Sequence, residues 1–150
     1  MRNLSITFAI IFSFLCFSLH AQEESEEMKP TKLDNPEWYY VSKIKFKSGH
    51  YNRAKEILND FYFKASKAYG GQLPKMILRS FTGSYDMMIV WEMKEGLTEF
   101  EWETSPDDIA FYTELIKLTG SKEEADKIAK EFQELVTTSD GQLALNFKLE

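Results

Sequence analysis

Two apolar-rich stretches, residues 75–81 (KMILRSF) and 85–93 (YDMMIVWEM), are separated by only Thr82, Gly83 and Ser84. A three-residue glycine turn between two β-patterned runs makes them antiparallel neighbours. Helical patterns flank this hairpin on both sides. Residues 51–69 carry Ala54, Ile57, Leu58, Phe61, Ala65 and Ala68 at helical spacing and stop at Gly70-Gly71, which is one helix with one buried stripe and a glycine end. After the hairpin, a short helical piece is expected around residues 97–102. Ser105-Pro106-Asp107-Asp108 then supplies a cap, a first-turn proline and an acidic first turn. That helix runs to Gly120, and Ser121-Lys122-Glu123-Glu124 reads as a capping box opening another.

The outermost segments are strands. Residues 38–47 alternate Ile44 and Phe46 with Lys43, Lys45 and Lys47, and residues 143–149 (LALNFKL) alternate again after a turn at Thr138-Ser139-Asp140-Gly141. The order is β-α-β-β-α-β, with the second helical segment split in two. The expected fold is α+β and ferredoxin-like: a four-stranded antiparallel sheet with its helices on one face, because crossovers between parallel strands are right-handed.

Residues 1–21 are set aside as a signal peptide. Arg2 gives a positive start, the run from residue 6 to 19 is apolar apart from Thr7 and two serines, and Ala21 precedes polar Gln22. The run is too short for a membrane span. Cys16 sits inside it rather than closing it, which argues against a lipoprotein. The expected location is therefore secreted or periplasmic, with no membrane span in the mature chain. Residues 22–36 (QEESEEMKPTKLDNP) hold five carboxylates and two prolines and read as a flexible acidic leader. Residues 37–150 form the folded domain.

Cleavage near Ala21 leaves 17 basic against 24 acidic residues, a net charge of −7, with no cysteine and one histidine, His50. Thiol nucleophiles, disulfides and cysteine zinc sites are excluded. The acidity argues against nucleic-acid binding, which needs a basic face.

Strand parity divides the sheet residues into two sets. Tyr40, Ile44, Phe46, Met76, Leu78, Tyr85, Met87, Ile89, Trp91, Leu143, Leu145 and Phe147 are placed under the helices. Val41, Lys43, Lys45, Ile77, Arg79, Phe81, Asp86, Met88, Val90, Glu92, Ala144 and Asn146 are placed on the other face. Ile77, Phe81, Met88 and Val90 make that second face apolar, and exposing them would forfeit on the order of 6–12 kcal/mol. A second copy of the chain stacked on this face is the economical cover, giving a homodimer.

In these features the chain resembles the dimeric α+β barrel superfamily, which includes antibiotic-biosynthesis monooxygenase-like, NIPSNAP-like and EthD-like domains. The resemblance rests on the element order, the Lys47-Ser48-Gly49 step, the Thr82-Gly83-Ser84-Tyr85-Asp86 hairpin and the passage into WEMKEGLTEFEW. It implies a homodimer and a pocket in each subunit. It implies no single activity, since members include cofactor-free oxygenases, haem-degrading enzymes, decarboxylases and isomerases. Trp91 lies on a strand, but the helices after it contain no histidine, so the haem-degrading pattern is not met and no cofactor is expected.

The candidate ligand-binding residues are Tyr39, Lys43, Lys45, Ile77, Arg79, Met88, Val90 and Asn146. Together they suit a small, partly hydrophobic anion. The competing reading is that Asp86 and Glu92 neutralise the cations. His50, just after the first strand, is the candidate general base; a solvated loop histidine is the plain alternative. Asp107 and Asp108 are read as helix-dipole partners rather than an acid/base pair. The methionines are read as core packing rather than a metal site. Trp102 with Phe100 forms either a lid or a packed connection. The leading functional expectation is an exported ligand-binding barrel protein without established catalysis. Its rivals are a cofactor-independent monooxygenase or isomerase using His50, and an interaction protein of an exported complex.

Overall fold

A computed structural model describes residues 29–146. The expected signal peptide, residues 22–28 of the leader, Phe147 and the last residues of the expected final strand lie outside the described residues. The compact unit that carries the fold starts at Asn35.

The elements follow the expected order. Strand β1 (Trp38–Phe46) leads through Gly49 into helix α1 (Tyr51–Ile57), which continues through a π-helical turn (Leu58–Tyr62) into α2 (Phe63–Ala68). Strands β2 (Met76–Arg79) and β3 (Met87–Met93) form the hairpin. A 3-10 turn (Gly96–Glu101) precedes α3 (Pro106–Thr119), α4 (Lys122–Leu135) and strand β4 (Val136–Leu145). The strands lie in the order β2-β3-β1-β4, and every neighbouring pair is antiparallel. The helices pack on one side of this sheet.

Local chemistry explains the helix ends. Ser105 Oγ accepts the Asp108 N–H at 3.0 Å while the Asp108 carboxylate accepts the Ser105 N–H at 2.9 Å, closing a capping box with Pro106 in the first turn. Gly120 stops α3 in the left-handed region at φ 87°, a conformation glycine adopts without steric cost. The Ser121 hydroxyl caps α4 by accepting the Glu124 N–H at 3.2 Å. The Glu124 carboxylate turns instead to Lys127.

Two clusters make the core. Ile44, Phe46, Met87 and Ile89 of the sheet meet Ala54, Ile57, Leu58 and Leu135. Ala65, Leu115 and Ala125 join the helices to one another, with Phe61 and Phe111 packed against them. The π-helical turn marks the change, since Leu58 packs in the first cluster and Phe61 in the second.

The final strand departs from expectation. Thr138-Ser139-Asp140-Gly141 is strand rather than turn, and α4 passes straight into β4 at Val136. Pairing with β1 holds this polar segment extended, from Lys45 opposite Thr138 to Trp38 opposite Leu145. Gly141 is there for space: a Cβ at this position would run into the Tyr40 ring. A glycine inside a strand commonly marks such close approach.

Candidate functional site

The register decides which side chains share the face away from the helices. Directly opposed residues in an antiparallel ladder lie on the same side. Ile44 and Phe46 are buried in the helix-side core, as are Met87 and Ile89. Arg79 is opposite Met87 and Ile77 opposite Ile89. Arg79 and Ile77 therefore belong to the helix side, which corrects the parity read from apolar content, and Met76 and Leu78 take their places on the open side. Phe81 lies beyond β2 altogether. The length of the turn holds the correct answer. A three-residue loop sets residue 81 against 85, and hence 77 against 89.

Two rows cross the middle of the open face. Met76, Val90, Val41 and Gln142 form one, and Leu78, Met88, Lys43 and Asp140 the other. Tyr39, between Glu92 and Ala144, borders the first row. Met76 and Leu78 are 50% and 41% exposed, while Val41, Met88 and Val90 are half-buried. An apolar band of five side chains thus runs over three strands. It is the apolar open face expected from sequence, made by partly different residues.

Of the three expected cations, Lys43 and Lys45 are on this face and carry carboxylate partners, whereas Arg79 is not. Lys45 Nζ donates to Asp86 Oδ1 at 3.0 Å, and the other Asp86 oxygen accepts the Phe46 N–H at 2.9 Å. The Phe46 N–H, and after it Lys45, holds the Asp86 carboxyl below the usual aspartate range. Lys43 Nζ lies 4.0 Å from Asp140 and 5.7 Å from the centre of the Tyr85 ring. Glu92 pairs with Lys75 at 3.5 Å. Asp140 was hidden from sequence reading because its segment resembles a turn.

The remaining predicted residues are dispersed. The Arg79 guanidinium rests on the Tyr51 ring at 4.4 Å and on Phe81 at 4.9 Å. Asn146 donates from Nδ2 to Glu37 at 2.7 Å at the far end of β4. His50 is exposed and precedes α1 without capping it through its side chain. An open polar hollow lies over α1 and the π-helical turn, lined by Asn52, Lys55, Glu56, Asn59 and Asp60, none of which belongs to the sheet. The open sheet face is consequently the candidate site. Its chemistry is an apolar floor with one loosely paired ammonium, Lys43, at its margin.

No family model matches the chain, and no curated protein does. Solved structures do. A NIPSNAP family protein from Agrobacterium tumefaciens is 8% identical and aligns over 81% of this chain and 96% of its own, with a TM-score of 0.50. A second NIPSNAP family protein of unknown function from that organism is 10% identical over 76% and 91%, with a TM-score of 0.48. An uncharacterized NIPSNAP domain protein from Burkholderia xenovorans is 7% identical over 73% and 94%, with a TM-score of 0.46. The chain has a NIPSNAP-like α+β fold.

Proposed function

We propose that this small α+β protein is exported, pairs with a second copy through its open sheet face, and holds a small, partly hydrophobic ligand between the two sheets. The observation that carries this reading is the apolar band of Val41, Met76, Leu78, Met88 and Val90 on the face without helices. A solvated sheet face ordinarily reads polar. Fully burying an aliphatic side chain is worth about 1.5–3 kcal/mol, so completing the burial of five half-covered ones would supply several kcal/mol toward association. Stacking two copies face to face closes that band without any further element.

Lys43 is the polar group best placed to orient a ligand there. Its carboxylate partner stands at 4.0 Å, too long for a strong hydrogen bond, so a ligand anion can compete for the ammonium. Lys45, held at 3.0 Å by Asp86, is assigned a structural role. Catalysis through His50 has no supporting contact among the described residues.

Native mass spectrometry of protein purified from its source tests pairing and ligand together. The expected result is a dimer carrying a small molecule. An empty dimer would remove the ligand, and a monomer at micromolar concentration would remove both. Export is tested by the N-terminal sequence of the same material, expected to start at Gln22.

A further inference from the structure

Four large apolar side chains within thirteen residues of the β3–α3 connection and the first turn of α3 are left exposed. Leu97 is 50% exposed, Phe100 55%, Trp102 57% and Ile109 61%. Glu95, Glu99, Glu101, Glu103, Asp107 and Asp108 are interleaved with them, and no lysine or arginine occurs from residue 95 to 116. Single exposed apolar residues are ordinary, whereas a cluster rimmed by charge marks a contact surface.

The surface is built rather than loose. Thr98 Oγ1 donates to the Glu95 carbonyl at 2.7 Å, and Glu99 accepts the Glu95 N–H at 3.0 Å, so the 3-10 turn is bonded within itself. Phe100 is anchored edge-on to Tyr40 at 5.7 Å, and Tyr40, opposite Trp91 and Leu143, is on the helix side of the sheet. Asp108 is occupied by the Ser105 cap. Glu101, Glu103 and Asp107 make no ion pair among the described residues. These exposed carboxylates are free to pair with a cation from outside, and Trp102 and Ile109 offer apolar surface that a partner can cover.

We propose that this surface docks a basic amphipathic segment of a partner protein. Lysine or arginine side chains would meet Glu101, Glu103 and Asp107, and aliphatic ones between them would cover Trp102 and Ile109. Charge complementarity selects this occupant. An anionic bilayer or a nucleic acid would be repelled by the carboxylates. The patch of a second copy would set carboxylates against carboxylates.

The test is a fluorescence-anisotropy titration of the full protein with a labelled amphipathic helical peptide built only of leucine and lysine. The Trp102→Ala/Ile109→Ala variant should weaken binding about tenfold or more. Glu101→Gln/Glu103→Gln should weaken it and flatten its salt dependence. Glu123→Gln/Glu134→Gln, which removes the same charge from α4, should leave it unchanged. Trp102→Gln alone provides a second apolar test if the double variant folds poorly. Equal weakening by the α4 pair, or no weakening by the apolar variants, would reduce the effect to net charge and overturn the proposal. A mass change of the unliganded protein caused by the apolar variants would assign the surface to a second copy, and would overturn it too.

Discussion

Arg53 grips Glu131 with two bonds, from Nε to one carboxylate oxygen at 2.6 Å and from a terminal nitrogen to the other at 2.9 Å. The pair ties α1 to α4 across the outside of the helix layer, and Glu56 adds a weaker contact to Arg53 at 3.3 Å. Two-pronged geometry is the strongest form of this ion pair. Both side chains are more than a third exposed, 42% and 37%, so water screens much of the gain. In a double-mutant cycle with Arg53→Met and Glu131→Gln, urea unfolding should report a coupling of about 1 kcal/mol. The arginine holds the Glu131 carboxyl below its ordinary value of 4.5. A depressed carboxylate stabilises the fold above that value, and the stability is lost as pH falls through the folded one. The coupling should therefore be full at neutral pH and shrink below pH 4.5.

Asp86 stitches the β3 end of the hairpin to β1 through the Phe46 N–H and Lys45. The backbone bond is the larger cause of its lowered pKa. Asp86→Ala leaves a part-buried N–H without its acceptor and should cost about 1–3 kcal/mol. Lys45→Met removes only the more exposed partner and should cost less, within about 1 kcal/mol. Thermal or urea unfolding of the two variants checks the order. A larger loss for the lysine variant would contradict it. The Asp86 contribution should likewise fade as pH drops below its ordinary 3.8.

Gly141 and Tyr40 share one volume on the helix side of the sheet. Gly141→Ala should force the Tyr40 ring off its seat against Phe100 and cost about 1–3 kcal/mol. In a Tyr40→Ala background the same substitution should cost almost nothing, since the clash has been removed. Additive costs in the double variant would show that the ring does not compete for this space.

Val90 and Ile89 are consecutive on β3 but lie on opposite faces. Ile89 is 4% exposed in the helix-side core, so Ile89→Glu should unfold the protein. Val90→Glu should keep the circular dichroism of the fold and yield a monomer mass by light scattering. A dimer that survives Val90→Glu would place the interface elsewhere.

Much of the architecture is local and was readable residue by residue. Ser105, Pro106 and Asp108 announce the start of α3, and Gly120 its end, because caps and glycine stops act within one turn of chain. The alternation of Ile44 and Phe46 with lysines identified β1 for the same reason. The open apolar face was legible in kind but not in membership. Lys43, Lys45, Met88 and Val90 were placed on the correct face, whereas Ile77 and Arg79 were not, because β2 offers apolar residues at both parities. The hairpin loop would have separated them, being a count of residues rather than a measure of greasiness.

By itself, the amino-acid order determined the alternation of strand and helix, the hairpin, the helix boundaries and the acidic, cysteine-free character of residues 22–150. These depend on neighbours a few positions apart. Tertiary structure alone decided that residues 138–141 run as strand beside β1, that Asp86 pairs with Lys45 while Asp140 stands 4.0 Å from Lys43, and that Tyr40 fills the space over Gly141. Each is a pairing between distant segments, and a slip of one residue sends every side chain of a strand to the other face. Only the assembled ladder sets that register.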